Sequence, residues 1–223
     1  MKFHLLTIFP TIFDSYLNES ILRRASDKKI VKFYIHNLRD WTNDKHKTVD
    51  DAPYGGGAGM LMKIEPLYKA LTAIKKLDKK IKPTKRKVIL LSAAGKTWNQ
   101  ALAKKYSKLN EIIFICGRYE GVDARLSSFI DEEVSVGDYV LTGGELPALT
   151  IIDSITRLIP GVLGNKESII EESHSEDGIT EYPQYTRPEI FTAGGKKYKV
   201  PTILLSGDHK KIKEWQKKNQ KNK

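Results

Sequence analysis

Apolar positions along the first two-thirds of the chain follow two alternating patterns. Short apolar runs at Lys2 to Phe9, Val31 to Asn37, Arg86 to Ser92, Glu111 to Gly117 and Glu133 to Val136 read as strands. The runs at 86–92 and 111–117 have the uninterrupted apolar centres of parallel strands buried on both faces. Between the runs the spacing becomes helical. Ile12, Tyr16, Leu17, Ile21, Leu22 and Ala25 line one face of a helix from Ile12 to about Lys28. Further helices are expected at Glu65 to Lys80, Thr97 to Leu109, Val122 to Phe129 and Glu145 to Leu158. Such β–α alternation predicts an α/β domain on a mostly parallel sheet.

Three of these strands run into small-residue loops: LSAAG (Leu91 to Gly95), CGRYEG (Cys116 to Gly121) and VGDYVLTGGELP (Val136 to Pro147). Ligands of open α/β sheets bind beyond the carboxyl ends of the strands, so three converging loops predict one pocket. A fourth glycine-rich segment, DDAPYGGGAGM (Asp50 to Met60), lies in a polar stretch with Arg39, Trp41, Lys45, His46 and Lys47. That mixture suits an extended partner such as RNA, and equally a mobile surface loop. After Pro160 the text GVLGNKESIIEESHSEDG is polar and acidic and reads as a linker. The expected organisation is a domain at 1–160, a linker at 161–178 and a small C-terminal portion at 179–223, which is too short to fold securely alone.

The candidate chemistry narrows what the pocket holds. VGDYVLTGGELP has no lysine or arginine and carries Asp138 and Glu145, which would repel a phosphate. GKT (Gly95 to Thr97) fails the P-loop pattern, whose first glycine would fall at Leu90. Cys116 ends a buried strand pattern and reads as packing, and as the single cysteine it indicates a reducing, cytoplasmic compartment. The five histidines show no metal spacing, and no apolar run reaches the length of a membrane span. Glu120 and the linker acids Glu171 and Glu172 are candidates for acid–base work, and Arg157 and Arg187 are cations without an assigned role. The formal net charge of +11 favours a polyanionic partner. Much of that excess lies in the lysine-rich stretches 75–87 and 210–223, so charge alone also fits a solvated surface.

The segments TVDDAPYGGGAGMLM, ICGRYEGVDARL, DEEVSVGDYVLTGGELPALTIIDSITRLIPGVLG and YPQYTRPEI, in this order and spacing, closely resemble the bacterial tRNA (guanine-N1)-methyltransferases of the SPOUT class. The resemblance runs to about Trp215. It implies a SPOUT-type, mostly parallel α/β sheet with a deep trefoil knot, a small mainly helical C-terminal domain that binds tRNA, and a homodimer with its active site at the subunit interface. The implied reaction transfers a methyl group from S-adenosylmethionine to N1 of the guanosine 3′ of the anticodon, which helps maintain the reading frame. Magnesium assistance is implied, with no dedicated metal site.

Motif by motif, the resemblance implies cofactor contacts at Leu91, Ser92, Gly117, Tyr119, Glu120, Gly121, Val136, Gly137, Asp138, Tyr139, Val140, Leu141, Gly143, Gly144 and Pro147. It implies substrate contacts at Asp50, Tyr54, Gly59 and Arg187. N1 of guanine must lose a proton as the methyl arrives, and a guanidinium near O6 would stabilise the charge that develops. The family's arginine matches Arg157. Its base, usually an aspartate, falls on Glu172, with Asp177 the alternative because the segment from Ser173 to Tyr182 is one residue longer than expected. The family commonly continues for several tens of residues of helix, where this chain ends at Lys223; the Lys210 to Lys223 stretch is expected to contact phosphates in its place. A ribose methylator of the same class is disfavoured by the GRYEG and GDYVLTGGELP loops. A non-catalytic RNA-binding protein is favoured only by Glu172 and the short C-terminus.

Overall fold

A computed structural model describes residues 1–164 and 179–222. They fall into two compact units, Met1–Gly164 and Asn165–Lys223. The first begins with β1 (Lys2–Thr7), α1 (Asp14–Leu17), α2 (Ser20–Asp27) and β2 (Lys32–Asn37). A short antiparallel pair follows, β3 (Asp50–Asp51) with β4 (Leu61–Met62), and then α3 (Ile64–Leu77). The remaining elements are β5 (Arg86–Thr97), α4 (Gln100–Tyr106), β6 (Glu111–Cys116), β7 (Glu132–Ser135) and α5 (Glu145–Thr156).

Five strands form one sheet in the order β2-β1-β6-β5-β7, and every adjacent pair is parallel. The alternation along each strand builds a core on both faces. Phe3, Leu5, Phe114, Ile89 and Leu91 pack toward α2, α4 and α5 with Leu22, Tyr106, Ile151 and Ile155. Leu6, Ile113, Ile115 and Val88 pack toward α3 with Leu67, Leu71 and Ile74. All six residues of β6 are buried, Glu111 as the ion-pair partner of Arg86, and the five that follow, Ile112 to Cys116, are for that reason an unbroken apolar run. Each such side chain contributes about 1.5–3 kcal/mol relative to an exposed position.

Three elements differ from the sequence reading. The helix expected from Ile12 to Lys28 is divided: a 3₁₀ turn at Pro10–Phe13 leads into α1, and Asn18 and Glu19 separate α1 from α2. Asn18 donates from Nδ2 to the Asp14 carbonyl, a local bond that competes with continuing the helix. Val122 to Phe129 is a 3₁₀ helix over Ala124–Phe129, started by the Asp123 carboxylate accepting from the Arg125 N–H. Finally, β5 runs five residues past the expected end at Ser92, to Thr97. Leu91 and Lys96 both pair with Val134, so residues 92–95 bulge outward before Thr97 rejoins Ser135. Gly95 lies against the backbone of Glu133 and Val134, where no Cβ fits, and Lys96 and Thr97 belong to the sheet and form no phosphate loop.

Among its described residues the second unit combines helix and strand, and includes a 3₁₀ turn at Thr202–Leu205. Its described residues contain one α-helix, α6 (His209–Lys218), together with β8 (Ile179–Thr180), β9 (Ile190–Ala193), β10 (Lys196–Lys199) and β11 (Lys221–Asn222). The strands form two antiparallel pairs, β8 with β11 and β9 with β10. Trp215 of α6 meets Tyr182 and Tyr185, each with ring centroids 6.5 Å from its own, and Asp208 caps the helix by accepting from the N–H groups of Lys210 and Lys211.

Candidate active site

The carboxyl ends of β5, β6 and β7 open onto a cavity of about 540 Å³ in the first unit. That volume is in the range of cavities that hold small-molecule ligands. All the residues expected at the cofactor except Gly137 and Asp138 line it: Leu91 and Ser92 from β5, the 117–121 turn, Val136, Tyr139 to Gly144, and Pro147. Gly137 sits where an added Cβ would strike the Tyr139 ring. Ala93 and Ala94 of the LSAAG loop also line the cavity, as do Val122, Asp123, Glu133 and Ser135, which nothing in their types marked for it.

The walls are fixed by backbone contacts. Gly144 donates its N–H to the Gly117 carbonyl at 2.9 Å, joining the start of α5 to the end of β6. A Cβ on Gly144 would lie 2.7 Å from the Cys116 Cα and 3.1 Å from the Leu91 Cβ, so only glycine passes between these strand ends. Tyr119 sits in the left-handed region at φ +60°, which disfavours bulky side chains and is found where the surrounding structure dictates the turn. The β3–β4 segment is tied to the same turn. Glu120 N–H donates to the Met60 carbonyl, Met62 N–H to the Gly121 carbonyl, and Asp123 N–H to the Met62 carbonyl. Gly59 approaches the Glu120 side chain too closely for a Cβ unless that side chain shifts. Asp50 pairs with Met62 in that segment, and Tyr54 projects into solvent beside Gly55, Gly56 and Gly57.

Beneath the loops lies a buried ion pair that the sequence reading did not single out. Glu145, 1% exposed at the start of α5, accepts from Arg118 Nε at 2.9 Å and from the Thr7 hydroxyl at 2.7 Å. Arg118 also donates to the Thr142 carbonyl at 3.1 Å and covers the Phe9 ring at 4.7 Å. It is the one cationic side chain among the described lining residues, and it is committed to Glu145. Glu120, Asp123 and Glu133 line the cavity as well. Such a lining offers no cation to a phosphate and is suited to an uncharged or positively charged ligand, which agrees with the adenosine and sulfonium of S-adenosylmethionine. Cys116 is fully buried beside it, and burial pushes its thiol well above its ordinary value, so it is a packing residue.

Arg157, the expected catalytic arginine, does not line this cavity. Arg157 is half-buried at the C-terminal cap of α5, its N–H bonded to the Asp153 carbonyl at 3.2 Å. The cavity meets the opposite end of that helix, about 18 Å away at 1.5 Å per residue. Glu172 and the alternative Asp177 lie outside the described residues, as does Glu171. Arg187 is exposed in the second unit. Among the described residues no group of three or more His, Cys, Asp or Glu could hold a metal ion, and no helix is long and apolar enough to cross a membrane.

Comparison with known proteins agrees with this geometry. A family model described as tRNA (Guanine-1)-methyltransferase TrmD matches residues 1–223. The tRNA (guanine-N(1)-)-methyltransferase of Dictyoglomus turgidum is 52% identical over 218 residues, covering 98% of this chain and 84% of the relative. That of Clostridioides difficile is 52% identical over 216 residues, covering 96% of this chain and 90% of the relative. The crystal structure of tRNA (m1G37) methyltransferase from Aquifex aeolicus superposes with a TM-score of 0.77 at 39% identity, covering 96% of this chain and 87% of that one. The fold, the cavity and these matches together establish that the chain belongs to the tRNA (guanine-1)-methyltransferase family.

Proposed function

We propose that this chain transfers a methyl group from S-adenosylmethionine to N1 of the guanosine immediately 3′ of the tRNA anticodon, and so helps maintain the reading frame. The observation that carries the reading is the cavity at the carboxyl ends of β5, β6 and β7, walled by the three glycine-bearing loops and free of phosphate-binding cations. Leu91, Gly117, Tyr119, Val136, Leu141 and Gly144 would hold the cofactor, with backbone groups addressing its adenine and ribose. When bound, S-adenosylmethionine supplies the methyl group as an electrophile beside a sulfonium charge.

The chain's own residues then handle the proton and the charge. A carboxylate of the 165–178 segment, Glu172 with Asp177 as the alternative, accepts the N1 proton; a positioned base contributes about 10²–10⁴-fold in rate. The Arg157 guanidinium stabilises the negative charge at O6. Because Arg157 caps the end of α5 remote from the cavity of its own subunit, a homodimer in which one subunit's arginine serves its partner's cavity accounts for both positions. The close packing of Gly144 against the ends of β5 and β6 is compatible with the trefoil knot that the family resemblance implies. Asp50, Tyr54, Gly59 and Arg187 are the proposed tRNA contacts. A tRNA substrate places the reaction in the cytoplasm.

The test is methyl transfer from labelled S-adenosylmethionine to unmodified tRNA, with a control tRNA carrying adenosine at the target position. Wild type is expected to modify only the guanosine tRNA, and Glu172→Gln to lose at least about a hundredfold in rate while keeping cofactor affinity. Transfer to a ribose, or to the adenosine control, would refute the reaction. An unimpaired Glu172→Gln would move the base to Asp177.

A further inference from the structure

We propose that the β9–β10 hairpin of the second unit is an RNA-contacting element whose Phe191 and Tyr198 stack on unpaired bases while Lys196, Lys197 and Lys199 contact phosphates; this rests on the tRNA substrate argued above. Every residue of both strands is exposed. Their register pairs Tyr198 with Phe191 and Lys199 with Ile190. Phe191, Ala193, Lys196 and Tyr198 therefore share one face, and Ile190, Thr192, Lys197 and Lys199 the other. The two rings lie 6.3 Å apart, yet Phe191 remains 59% and Tyr198 56% exposed. The turn between the strands has Gly194 at φ +54° and Gly195 at φ +73°, the doubly left-handed conformation that favours a two-residue hairpin loop.

A two-stranded hairpin with both faces in water is marginal by itself, so this one is suited to being covered by a partner. The residue types select the partner. Lysine is depleted at protein–protein interfaces, whereas exposed aromatics interleaved with lysines are the usual means of holding unpaired nucleotides. Three lysines and no acid lie between Ile190 and Lys199, so the hairpin is purely cationic and complements a polyanion.

The experiment measures binding of labelled, unmodified tRNA to the full chain across a salt series, together with S-adenosylmethionine affinity and methyl transfer. The triple variant Lys196→Ala, Lys197→Ala, Lys199→Ala is expected to lower the slope of log affinity against log salt by about two to three. Phe191→Ala with Tyr198→Ala is expected to weaken binding by about thirtyfold or more without changing that slope. The triple Lys→Arg variant is expected to bind like wild type, and all variants to keep cofactor affinity, which reports an intact first unit. Unchanged tRNA affinity and slope in both alanine variants would overturn the proposal. So would a changed oligomeric state with unchanged tRNA affinity, which would make the hairpin a protein contact. If wild type itself neither binds nor methylates tRNA, the methyltransferase reading fails first; if it does both and only the hairpin variants are silent, the hairpin proposal alone fails.

Discussion

The Arg118–Glu145 pair predicts a measurable coupling between stability and the cofactor cavity. Glu145 is 1% exposed and is held by Arg118 at 2.9 Å and Thr7 at 2.7 Å, so Glu145→Ala strands a guanidinium and a hydroxyl. Removing one member of a buried pair destabilises by about 3–5 kcal/mol. Here Arg118 is 17% exposed and retains the Thr142 carbonyl and the Phe9 ring, which puts the loss near the lower figure, about 3 kcal/mol. In a chain of this size that lowers the melting temperature by about 6–12 °C. Glu145→Gln keeps an acceptor for Thr7 and is expected to lose less, about 1–2 kcal/mol. The assay is urea unfolding of Glu145→Ala, Arg118→Met and the double variant, with S-adenosylmethionine affinity measured on each. The double variant should be more stable than the sum of the two singles predicts, by about 1–3 kcal/mol, because it leaves no buried charge unpaired. Since the pair joins the 117–121 turn to the start of α5, cofactor affinity should fall in Glu145→Ala while the protein is still folded. A loss under about 1 kcal/mol, or strict additivity, would refute the assignment of this pair as a structural tie.

Two further outcomes follow from the same geometry. Gly144→Ala places a Cβ 2.7 Å from the Cys116 Cα and 3.0 Å from the Gly117 nitrogen, and should destabilise by about 1–3 kcal/mol and abolish cofactor binding; Gly164→Ala, with open space around it, should stay within about 0.5 kcal/mol of wild type in the same urea unfolding. His36 is pushed down from 6.5 to about 4 by burial, then by the neighbouring His4, whose Nδ1 lies 2.9 Å from its Nε2. Between these values the unfolded chain binds a proton that the folded one refuses, so this residue's effect is absent above about pH 6.5 and destabilises progressively down to pH 4, by at most about 3 kcal/mol. Urea unfolding at pH 7.5 and 4.5 should show a smaller acid loss in His36→Gln than in wild type, and identical losses would refute it.

How far the sequence revealed this site depends on which forces wrote it. The sheet was legible because burial on both faces leaves an unbroken apolar signature, as in Ile112 to Cys116, where every residue is inside. The second half of β5 was not. Ser92 to Thr97 carries no apolar run, and its pairing depends on Gly95 lying against the backbone of β7, a contact made by a missing side chain. The break at Asn18 was hidden for a related reason: the apolar residues on both sides still fit a single helical face, and only a local side-chain bond divides them.

The loops around the cavity were visible as glycine-bearing motifs, but what holds them was not. Glu145 reads in the sequence as a loop acid at the pocket that would repel a phosphate, whereas it lies buried beneath the loops at the start of α5 and does not line the cavity. Its burial comes from Thr7, 138 residues earlier, and from Arg118, which reads as one polar residue in a turn. Neither partner can be inferred from periodicity, because the passage of Gly144 between the ends of β5 and β6 brings them together. The same topology separates Arg157 from the cavity, although only a helix length divides them in sequence. Local pattern therefore identifies the surfaces that line the cavity, whereas the groups that fix those surfaces, and the distance between Arg157 and the cavity, follow from the path of the chain.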